Sequence, residues 1–132
     1  MTNDNFRECV LRAVRNVFNR SGYRGRVRPL VLAIEDDDEF HSFPLDKGEE
    51  TRRRLEESYA RCRAVALVGE EDGGMQVRLE FRGVPGVERW SAAIARNPDG
   101  TRTMAAFGMM LALGGRLNRP RFDAGGSAYA GA

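Results

Sequence analysis

The stretch "MQVRLEFR", Met75 to Arg82, alternates without a break: Met75, Val77, Leu79 and Phe81 fall on one side of an extended chain, Gln76, Arg78, Glu80 and Arg82 on the other. A period of two marks a strand with one face on a core and the other in water. Just upstream, "EEDGG" supplies turn residues, so the apolar run "RAVALVG" from Arg63 is read as its hairpin partner. Downstream, "GVPG" makes the next turn and "RWSAAIAR" the next strand. "NPDG", Asn97 to Gly100, is a turn in which proline presets φ and glycine accepts positive φ, after which "TRTMAAFGMM" returns. The second half therefore reads as an antiparallel meander of four strands.

The first half reads as helix, strand, helix. Phe6, Val10, Val14, Val17 and Phe18, with Leu11 beside them, recur at helical spacing over residues 5–20, with Thr2 or Asp4 placed to cap the start and Gly22 after the end. "LVLAI", Leu30 to Ile34, is apolar at every position, as expected of a strand buried on both faces. "DKGEETRRRLEESYARC" is helix-forming, with Asp46 and Glu49 spaced as a capping box and Leu55, Tyr59 and Cys62 on one face. A buried strand, a helix and another buried strand predict a right-handed crossover between two parallel strands. The expected fold is α+β, with both helices on one side of a mixed, mainly antiparallel five-stranded sheet, in the order α-β-α-β-β-β-β.

With 132 residues, 42% hydrophobic and 30% charged, the chain fits one globular domain, placed at residues 1–113, with a glycine- and alanine-rich tail at 114–132. The longest apolar run, "MAAFGMMLALGG", is shorter than the roughly 20 residues a membrane-spanning helix needs. No basic region leads into an apolar segment at the N-terminus, so a cytoplasmic protein without membrane contact is expected. Cys9 and Cys62 match no metal or redox spacing and are expected to be buried thiols. No cofactor-binding motif is present, so no cofactor is expected. Of 21 basic residues only Lys47 is not arginine, a bias that fits a high-GC bacterial or phage genome.

The net charge of +2 conceals segregation: residues 1–28 carry seven arginines against Asp4 and Glu8, and residues 29–50 carry eight acids against Lys47. Three candidate sites follow. "IEDDDEFHSF" offers carboxylate oxygens of Asp36, Asp38 and Glu39 for a hard metal, and Asp36, Asp38 and His41, the only histidine, as the residues of a metal-dependent hydrolase. The contiguous acids do not match a calcium loop, however, and alternating carboxylates cannot all converge on one ion. "NRSGYRGRVRP" groups Arg20, Arg24, Arg26 and Arg28 around Tyr23, which suits nucleic-acid phosphates and a stacked base. The run from Met104 to Leu113, with Phe107, Met109, Met110 and Leu111, exceeds the length of one strand and carries three of the five methionines. It is read as a contact surface for a second copy or another protein. The expected function is thus a non-enzymatic interaction module or assembly subunit, ahead of an arginine-dependent nucleic-acid binder and a metal-dependent hydrolase.

Overall fold

The structure is a computed structural model that describes residues 1–110. Its elements are α1 (Asn3–Ser21), β1 (Leu30–Glu35), β2 (Phe40–Pro44), α2 (Glu49–Arg61), β3 (Cys62–Glu71), β4 (Gly74–Phe81), β5 (Glu88–Arg96), β6 (Arg102–Met104) and β7 (Gly108–Met110). The expected tail at 114–132 lies outside the described residues. Among the described residues no helix is long and apolar enough to cross a membrane.

The protein is α+β, as the sequence implies, but the sheet has seven strands rather than five and every pairing is antiparallel. The order is β2-β1-β3-β4-β5-β6, with β7 also paired to β5. The expected parallel crossover does not form. The acidic run is a hairpin turn, β1 returns as β2, and after α2 the chain enters β3 antiparallel to β1. Asp38 N–H donates to the Glu35 carbonyl at 3.0 Å, and Asp38 itself has φ +67°. That is a tight turn closed by a left-handed residue, a conformation aspartate tolerates better than most. The predicted Asp72-Gly73 turn also forms, with φ +51° and +74°, the two positive angles that match the twist of a two-residue hairpin.

The helices cover opposite faces, not one. Alternation along β3 sends Ala64, Ala66 and Val68 to a core shared with Phe6, Val10 and Phe18 of α1, and sends Val65 to a second core with Leu55 of α2, Val31, Ala33 and Phe43. β1 divides in the same way, with Ile34 on the first side and Val31 and Ala33 on the second. The perfect alternation of β4 holds, since Met75, Val77, Leu79 and Phe81 all lie in the first core. Its other face is not simply wet, because Glu80 is only 1% exposed, paired with Arg78 and near the Tyr59 hydroxyl.

Capping follows the sequence at α1 and departs from it at α2. Asn5 N–H donates to Thr2 Oγ1 at 3.1 Å, and Gly22 closes the helix at φ +59°. At α2 the cap is Gly48, and Asp46 instead accepts from the Gly48 N–H at 2.8 Å. Cys62 is buried as expected, but as the first residue of β3, while Cys9 is exposed on the outer side of α1. Val17, assigned to the core face, is also exposed.

Candidate functional site

The acidic hairpin does not gather Asp36, Asp38 and His41. Asp36 pairs with Arg82 at 2.7 Å, and Asp38 takes the N-terminal ammonium at 2.8 Å and Arg63 at 3.2 Å. The two arginine contacts hold the hairpin tip against the end of the sheet, and the ammonium ties it to the start of the chain. The Asp38 carboxyl is held below the usual carboxylate range, chiefly by its bond from the N-terminal ammonium.

The residues that do converge are Glu35, Glu39 and His41. Glu35 N–H donates to the Glu39 carbonyl at 2.9 Å, which sets the two residues opposite one another at the hairpin end. His41 lies two positions beyond Glu39 and therefore on the same face. His41 Nε2 is 2.8 Å from Glu35 Oε2, and Arg61 approaches the other Glu35 oxygen at 3.3 Å. These contacts lower the Glu35 pKa, with the hydrogen bond to His41 as the largest cause. Of the three, sequence alone offers Glu39 and His41 as donors but not Glu35, which only the turn geometry brings face to face with Glu39.

Beside this trio is a recess of about 90 Å3 lined by Phe43, Arg54, Ser58 and Cys62 among others, with the Arg54 guanidinium 4.4 Å above the Phe43 ring. Burial and the nearby Glu35 charge push the Cys62 thiol up to about 11, so it is not a thiolate at neutral pH. The Ser58 hydroxyl donates to the Arg54 carbonyl at 2.9 Å within its own helix. Ser91 lies on β5, separated from β2 by three intervening strands, where it accepts from Gln76 at 3.1 Å. His41 thus has a carboxylate orienter and no serine aligned with it among the described residues.

The arginine cluster is partly tied to the protein itself. Arg24 donates to the Asp99 carbonyl at 2.7 Å and Arg26 to the Glu70 carbonyl at 2.9 Å. The Tyr23 ring rests against Phe18 with centroids 5.5 Å apart. Arg20 and Arg28 are exposed.

The apolar run is divided by its own backbone. Met104 is 1% exposed and belongs to the first core, where its N–H donates to Asn19 Oδ1 at 2.7 Å. Ala105 N–H still reaches the Ala93 carbonyl at 2.9 Å, and the chain then leaves the ladder before rejoining β5 as β7. Phe107 is half-buried and lines a groove of about 390 Å3 with Leu11, Trp90 and the arginines of α1. Met109 and Met110 are exposed at 58% and 44%. Leu111 and Leu113 lie outside the described residues. The five residues Ala106 to Met110 carry no charge and no proline, the devices that usually guard a sheet edge. The opposite edge, β2, carries His41 and ends at Pro44.

No family model, curated protein or solved structure matches the chain.

Proposed function

We propose that this protein is a non-enzymatic assembly module that joins a second copy of itself through the edge strand β7. The observation carrying this reading is that β7 presents Met109 and Met110 on a sheet edge whose outer side pairs with no other strand among the described residues. An edge of that kind offers unpaired N–H and C=O groups as a template for a further strand. Methionines adapt to an apolar partner, and antiparallel pairing of two identical edges is self-complementary, so a two-fold dimer needs no other protein. The adjacent groove at Leu11, Trp90 and Phe107 gives the incoming copy apolar surface beyond the three residues of the strand.

Amide exchange tests this reading. Gly108 to Met110 amides become more protected as protein concentration rises, while those of β2 do not change. Concentration-independent exchange throughout β7 contradicts it.

A further inference from the structure

We propose that Glu35, Glu39 and His41 form a binding site for a divalent transition-metal ion at the open end of the β1–β2 hairpin. Donor atoms from all three lie within 4.8 Å of one another. With metal–ligand bonds of about 2.1 Å, donors around one ion sit roughly 3 to 4 Å apart, so only small side-chain rotations are needed. The backbone fixes the three Cα positions beforehand. Glu35 and Glu39 are bonded across the turn at 2.9 Å, and the Asp37 carboxylate accepts the Glu39 N–H at 3.1 Å.

Charge supplies the second argument. Of the other tip acids, Asp36 has Arg82 and Asp38 has Arg63 and the N-terminal ammonium, while Asp37 accepts the Glu39 N–H. Glu39 has no basic partner among the described residues, yet its carboxylate faces that of Glu35. The two carboxyl groups are close enough to share a hydrogen bond, and when both are ionised they repel, which the His41 hydrogen bond and the mostly exposed Arg61 offset only in part. A divalent ion removes the remainder and takes the place of the His41 to Glu35 hydrogen bond.

The donor set selects the class of ion. One imidazole nitrogen with two carboxylates suits zinc, cobalt, manganese or ferrous iron, whereas calcium favours oxygen ligands alone. Three protein ligands leave coordination positions for water, and the recess beside Phe43 and Ser58 has room for it.

Cobalt(II) and zinc(II) titrations of the full chain test the site by calorimetry, by the visible cobalt spectrum and by melting temperature. Wild type is expected to take one ion per chain with a rise in melting temperature. Glu39→Gln should weaken binding at least tenfold and His41→Ala should abolish it, while Asp36→Asn, outside the trio, binds as wild type. Circular dichroism of each variant separates lost ligation from lost folding, and Glu39→Gln at an exposed position is expected to fold. Absence of saturable binding in wild type, or equal affinity in wild type and folded Glu39→Gln, overturns the proposal.

Discussion

Arg102 and Glu70 form an ion pair at 2.6 Å, at 8% and 12% side-chain exposure, that ties β6 to the far end of β3. Arg102 also donates to the carbonyls of Tyr23 and Gly25, and Glu70 accepts the Val27 N–H at 3.1 Å. One guanidinium thus fastens the α1–β1 connection to the sheet. Breaking a buried pair leaves an uncompensated charge, which is worth more than the pair itself. Glu70→Ala is therefore expected to lower unfolding free energy by about 3 kcal/mol in urea denaturation, and a change below 1 kcal/mol contradicts the clamp.

The same pair gives a pH dependence. The Arg102 hydrogen bond holds the Glu70 pKa below its ordinary value of 4.5. A carboxylate whose folded pKa is depressed adds stability that is present above its unfolded pKa and lost as pH falls through the folded one. The stability gap between wild type and Glu70→Gln should be open at pH 7 and shrink as pH drops below 4.5. A gap of constant size from pH 7 to pH 3 contradicts the assignment.

Much of this architecture is legible in the residues, for reasons that are local. β4 alternates because one of its faces meets α1, and α1 begins at Thr2 because that hydroxyl caps an N–H. Most of what escaped sequence reading depended on a single turn. Three consecutive aspartates look like a solvated loop, since the left-handed position is filled by Asp38 rather than by glycine. Missing that turn hides β2, and without β2 the helix between β1 and β3 looks like a parallel crossover. The apolar run of β1 already held the correction: a strand buried on both faces needs cover on both, which α1 and α2 supply from opposite sides. The trio of Glu35, Glu39 and His41 was hidden by the same turn. The interface residues were legible as a group, but backbone departure after Ala105 separates core Met104 from exposed Met109.

Phe6 is fully buried where α1 meets the sheet, 5.8 Å from the Phe40 ring and 6.3 Å from Phe81 in an edge-on contact. Phe6→Ala removes a large side chain from a close-packed site and is expected to cost about 3 to 5 kcal/mol. Val17→Ala, on the exposed side of the same helix, is expected to change stability by less than about 0.5 kcal/mol. Equal effects in thermal and urea unfolding would place α1 the wrong way round.

The two thiols should react very differently. Cys9 is exposed, whereas Cys62 is 2% exposed with its pKa raised to about 11. Titration with an aromatic disulfide at pH 7.5 is expected to release one equivalent quickly and the second only on unfolding. Prompt reaction of both would mean that the end of α2 does not cover β3.

Static light scattering over a hundredfold concentration range tests the assembly reading most directly, using wild type and Met109→Lys, which places a charge on the exposed edge strand. Wild type is expected to approach twice its chain mass of 14.7 kDa while the variant holds the single-chain mass with an unchanged melting temperature. A wild-type mass that stays at one chain across the whole range contradicts it.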